Sequence, residues 1–164
     1  MSLIKEGYRS DKKQLASFEK LYAKEREYYG PIGEISELSE AKEGLYYFRD
    51  FIERTSLKEF VTRIGLDRKQ RVEDLSSEDL KIILQVYKSV QELSVSHANI
   101  NEDNILVINK RRGILRRSSQ AEVRFTGFTS EDISPEAMTE ATHAAFSRIL
   151  GESFYVAFRR QFQL

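Results

Sequence analysis

The segment from Ser76 to Leu93 constrains this chain more than any other. Leu80, Ile83, Leu84, Tyr87, Val90 and Leu93 recur at spacings of three and four, the period of a helix with one apolar face. Ser76 precedes it, with Asp79 three residues on, a capping-box pattern. A core helix is predicted here, and the rest of the chain has to supply something for it to pack against.

Upstream, Leu15, Phe18, Leu21, Tyr22 and Tyr28 share the helical spacing, with Ser10 or Asp11 as N-cap and Gly30-Pro31 as the stop. Glu34 to Ser39 and Leu45 to Ile52 are short, aromatic and partly alternating around Glu43-Gly44, which predicts an antiparallel pair. Leu57, Phe60, Val61 and Ile64 mark a short helix over 56–64. Ile105-Leu-Val-Ile and Ala121 to Phe125 predict two more strands, joined by a basic segment containing Gly113. From Ser134 onward, Phe146, Ile149, Leu150, Phe154, Phe158 and Phe162 predict a final helical region. Hairpins among dominant helices give an α+β fold in one domain, since neither Pro31 nor Pro135 lies in a linker.

Composition narrows the function. Lys plus Arg number 26 against 26 Asp plus Glu, without the basic excess of a phosphate-neutralising nucleic-acid binder or the one-sided charge of a membrane-surface protein. The absence of cysteine removes thiolate chemistry, and His97 and His143 stand too far apart to suggest a metal cluster. No apolar run is long enough to span a bilayer. The expectation is a soluble, cytoplasmic protein, with secretion as an effector left open and no nucleic acid, membrane or metal as partner.

The informative constellation follows the long helix: His97-Ala98-Asn99-Ile100-Asn101-Glu102-Asp103-Asn104-Ile105-Leu106-Val107. It resembles the catalytic loop of the protein kinases, in which His-Arg-Asp-Leu is followed by three residues, Asn and an apolar strand. Val123 to Thr129 is similar to the strand and Asp-Phe-Gly segment of that family, and Ser134-Pro135-Glu136 to its Ala-Pro-Glu. The resemblance extends back to Leu45–Val61 as a hinge, to the helix over 11–29 as the small-lobe helix with Glu25 at its ion-pairing position, and to Leu3-Ile4-Lys5 as the strand bearing the nucleotide Lys.

The resemblance implies a shortened protein-kinase-like fold, a truncated, degenerate member of that superfamily. Residues 1–50 would be the remnant of the small lobe and 51–164 the truncated large lobe, with the Gly-rich loop falling upstream of Met1. Where the family carries its two catalytic Asp residues, this chain has Asn99 and Gly127. An amide does not accept a proton as a carboxylate does, and Gly offers a metal no side-chain oxygen. The expectation is therefore a pseudokinase acting as a protein-interaction or regulatory module. Lys5, Glu25 and Asn104 are the candidate nucleotide residues; the expectation is no cofactor, with ATP and magnesium left open.

The alternatives are a minimal ATP-dependent kinase or transferase using Glu102, Asp103 or Asp132, and a small helical adaptor unrelated to kinases. Partner-binding candidates are Arg111, Arg112, Arg116 and Arg117 of the basic segment 110–117, and Tyr155 and Phe158 of the aromatic tail. The partner would be a protein, a second copy included.

Overall fold

The computed structural model describes residues 2–8, 11–50, 54–66, 71–109 and 121–164. These form two compact units. One takes residues 1–53, 95–98 and 128–133, and the other 54–94, 99–127 and 134–164. The architecture is helix-dominated α+β, with two small antiparallel sheets.

The first unit is a three-stranded sheet with one helix laid on it. β1 (Ser2–Tyr8) and β2 (Ser39–Glu40) flank β3 (Gly44–Asp50), in the order β1-β3-β2. Lys5 pairs with Tyr47 and Glu6 with Tyr46 across β1 and β3. α1 (Lys12–Tyr29) begins at Asp11, whose carboxylate accepts from the backbone N–H groups of Lys13 and Gln14 at 2.9 and 3.0 Å. It ends at Gly30, and Pro31 enters a single 3₁₀ turn. Phe18 and Tyr22 pack on the Tyr47 ring at 5.4 and 4.9 Å, so the odd-numbered face of β3 is the covered one.

The expected strand over 34–39 forms only in part. Ser39–Glu40 ladders with β3, and Ile35 makes an isolated bridge to Arg49, flanked by bonds from Ser36 N–H to the Phe48 carbonyl at 2.9 Å and from Asp50 N–H to the Glu34 carbonyl at 3.0 Å. Phe51 and Ile52, read as the end of β3, lie outside the described residues.

The second unit holds the predicted core helix, α3 (Ser77–Gln91), together with β4 (Thr55–Ser56), α2 (Leu57–Arg63), β5 (Ile105–Asn109), β6 (Ala121–Phe125), α4 (Pro135–Leu150) and α5 (Glu152–Phe162). Its sheet runs β4-β5-β6, with Ile105 opposite Phe125 and Val107 opposite Val123, all four buried. Ile83, Val86, Tyr87 and Val90 of α3 are buried with Phe146 of α4 and Phe158 of α5. Burying side chains of this size stabilises the fold by roughly 1.5–3 kcal/mol each.

Two local details depart from expectation. At α3 the Ser76 hydroxyl accepts from Asp79 N–H at 3.0 Å, but the Asp79 carboxylate accepts from that hydroxyl at 2.7 Å instead of the Ser76 N–H. Asp is one methylene shorter than the Glu of a reciprocal box. The complete box is at α2, where Ser56 and Glu59 cap each other at 3.2 and 2.9 Å. The final helical region is two helices, broken at Gly151, whose φ of +78° and ψ of 142° no helix contains. α4 itself starts as Ser134-Pro135 predicts, with the Ser134 hydroxyl accepting from Ala137 N–H at 3.1 Å. No helix among the described residues is long and apolar enough to cross a membrane.

Candidate functional site

In the second unit the segment Asn99–Asn104 folds on its own amides. The Asn101 side-chain oxygen accepts from the N–H groups of Asp103 and Asn104 at 3.0 and 3.1 Å, an Asx turn. Its nitrogen donates to the side-chain oxygen of Asn99 at 2.9 Å and to the Asn99 carbonyl at 3.2 Å. Asn104 donates its side-chain N–H to that carbonyl as well, at 3.0 Å, while its own carbonyl accepts from Thr126 N–H at 2.9 Å. Asn99 and Asn104 are thus brought together, and the loop is joined to the end of β6.

Gly127 closes the same constellation. Its φ is +74°, and a Cβ built on it would stand 2.6 to 2.8 Å from the nitrogen, carbon and oxygen of the Asn104 amide. The backbone conformation and the neighbouring amide both select glycine here. A larger residue has to displace Asn104 from its bond to Asn99.

The acids nearby are engaged by cations. Glu102 meets Arg148 of α4 through two bonds, at 2.9 and 3.3 Å, and the guanidinium holds its carboxyl below the usual range against partial burial. Asp103 lies 3.6 Å from Lys58, both exposed. Asp132 belongs to the first unit, where Lys20 and Lys24 contact it at 2.6 and 2.7 Å. Bonds from those two ammonium groups hold it down to about 2. Among the described residues no group of three or more His, Asp or Glu is placed to hold a metal ion.

Within the first unit Glu25 is 1 % exposed, and its two oxygens have internal partners. Oε2 accepts from the Tyr47 hydroxyl at 2.9 Å, and Oε1 faces the Arg49 guanidinium at 3.4 Å. Arg49 also donates to the Tyr29 hydroxyl at 3.0 Å and lies over that ring at 4.9 Å. Burial and the Glu25 carboxylate push the Tyr47 phenol far above its ordinary value. The cation at Glu25 is therefore Arg49. Lys5 sits on β1 opposite Tyr47 and is half-buried.

His97, also 1 % exposed, packs its ring 4.3 Å from Phe128. Phe128 in turn lies 5.2 Å from Tyr28 and 6.0 Å from Tyr29. His97 is a core residue of the first unit.

Tyr155 and Phe158 do not present a surface. They are 5 % and 0 % exposed, with Phe158 6.3 Å from Tyr87 and Tyr155 6.2 Å from Phe146. Both lie in the core of the second unit, because the i, i+3 spacing of the tail turns one face inward; as partner-contacting residues they are corrected. The Tyr155 hydroxyl meets Nδ1 of His143 at 2.5 Å. Arg111, Arg112, Arg116 and Arg117 lie outside the described residues.

Arg49 and Tyr47 are the residues that sequence reasoning missed. An arginine sharing the face of Leu45 and Tyr47 on an aromatic strand, with an acid on a helix of one apolar face, is the signal that was available. Comparison of the chain with protein-family models, with curated proteins and with solved structures gives no match to any of the three.

Proposed function

We propose that this chain is a pseudokinase: a shortened kinase-like scaffold that does not transfer phosphate and acts by binding another protein. The single observation that carries the proposal is the loop of Asn99, Asn101 and Asn104 locked under Gly127. The two positions at which the resemblance calls for carboxylates hold an amide engaged with Asn101 and a glycine with no room for a side chain. Phosphoryl transfer depends on positioned carboxylates and on metal ions that neutralise developing charge. Neither is supplied by amides bonded to one another.

The burial of His97 against Phe128 supports the same reading, since the resemblance gives the His at this site a packing role. A minimal transferase is disfavoured because each acid it would recruit, Glu102, Asp103 or Asp132, has a lysine or arginine against it. The reading places the chain in the cytoplasm as a soluble regulatory module.

Thermal unfolding of the purified chain with ATP, with and without magnesium, tests it. The expected result is no metal-dependent rise in Tm. A magnesium-dependent rise that disappears in Asn104→Ala would overturn the proposal in favour of a nucleotide-using enzyme.

A further inference from the structure

We propose that the cleft between α1 and the segment 128–133 of the first unit is a binding site for a small monocarboxylate with a flat apolar body. The site lies wholly within that unit and does not depend on the pseudokinase reading.

The cleft has a volume of about 380 Å³, and Phe18 and Leu21 of α1 supply most of its apolar lining. A Cβ on Gly7 would stand 2.5 Å from the Phe18 ring, whose centroid lies 5.4 Å from that of Tyr47, so packing fixes this part of the wall. Its polar members are Lys13, Gln14 and Ser17 of α1, with Ser130 across from them. Among the described residues none of these four side chains has a hydrogen-bond or ion-pair partner. Ser130 is kept in place by its neighbours: Asp132 contacts Lys20 and Lys24 at 2.6 and 2.7 Å, and the buried Lys24 ammonium also donates to the Glu131 carbonyl.

The occupant follows from charge and shape. Lys13 brings one positive charge to the wall, while Lys20 and Lys24 are engaged with Asp132. Glu6 also lines the cleft, but it already has a partner of its own and is assigned no role. A single ammonium matches a single carboxylate, and the hydroxyls of Ser17 and Ser130 and the amide of Gln14 are further donors for its oxygens. An apolar body, aromatic for preference, fits against Phe18 and Leu21. The combination of apolar lining, few polar groups and a volume of this size is that of a small-molecule site.

The test titrates the whole chain with phenylpropionate, its neutral amide and phenyl phosphate, with backbone amide NMR shifts reading both affinity and location. The acid is expected to bind with a dissociation constant of about 1–10 mM, as suits a ligand this small, and to move the signals of residues 13–21 and 130. It should bind about fivefold more tightly than the amide, in line with an ion pair at a half-open site. Lys13→Met, at an exposed position, is expected to remove that preference and leave binding of the amide unchanged. Lys12→Met, one residue away and outside the wall, should alter neither. No binding of the acid, equal binding of acid and amide, or shifts confined to other residues overturns the proposal. So does tighter binding of phenyl phosphate, or a loss in Lys12→Met as large as that in Lys13→Met, the mark of general attraction to a basic helix.

Discussion

A Cβ on Gly127 would stand 2.6 Å from the amide nitrogen of Asn104, and that nitrogen already donates to the carbonyl of Asn99 at 3.0 Å. One missing side chain thus holds three residues of the candidate site in their places. The glycine is required by the φ of +74° as well as by the space.

Gly127→Asp, which restores a carboxylate at the position the kinase resemblance marks, is expected to destabilise the chain by about 1–3 kcal/mol without creating activity. Denaturant unfolding measures the first part and a phosphate-transfer assay the second. In the double variant with Asn104→Ala the clash is relieved, so a non-additivity of about 0.5–3 kcal/mol is expected in the cycle.

Arg49 and Glu25 form a buried pair in the first unit. Arg49→Met leaves the Glu25 carboxylate without its cation and is expected to cost about 3–5 kcal/mol. Tyr47→Phe removes only the bond to Oε2, at about 1–3 kcal/mol. Replacing Lys5 by Met should change stability far less than Arg49→Met. Equal losses at Lys5 and Arg49 would show that the lysine supports Glu25 after all.

Much of the fold was legible in the residues, and the exceptions have physical causes. Strong periodicity and side-chain caps fixed α1, α2 and α3 to within a residue or two, because those signals are local. β4 escaped because a two-residue strand has no period to detect. The Gly151 break was hidden because apolar spacing runs on across it, and only the backbone angles separate α4 from α5. Asn99, Asn104 and Gly127 were identified from sequence, but the bonds that knit them depend on β6 returning beside the loop, a long-range pairing. The Arg49–Glu25 contact has the same character: 24 positions separate the partners.

His143 is held below its ordinary pKa by partial burial and by the nearby Arg159 charge, and its Nδ1 meets the Tyr155 hydroxyl. The folded state therefore favours neutral imidazole, and the unfolded chain binds the proton more readily. Its contribution to stability is present above an unfolded pKa of about 6.5 and is lost as pH falls through the lower folded value. Tm should decline over that window, and His143→Gln should flatten the decline. A decline unchanged in the variant would assign it to other groups.

Phe128 packs against His97, Tyr28 and Tyr29, so Phe128→Ala is expected to cost about 3–5 kcal/mol as a cavity. Arg148→Ala breaks a more exposed pair with Glu102 and should cost no more than about 1 kcal/mol. Chemical denaturation of the two variants side by side checks the contrast between core and surface.

The central claim is that the scaffold carries no phosphate-transfer chemistry, and incubation of the purified chain with γ-labelled ATP, magnesium and a generic protein substrate tests it most directly. The account predicts no transfer above that of the Asn99→Ala and Asp103→Ala variants. Magnesium-dependent transfer by the native chain that either substitution abolishes would contradict it.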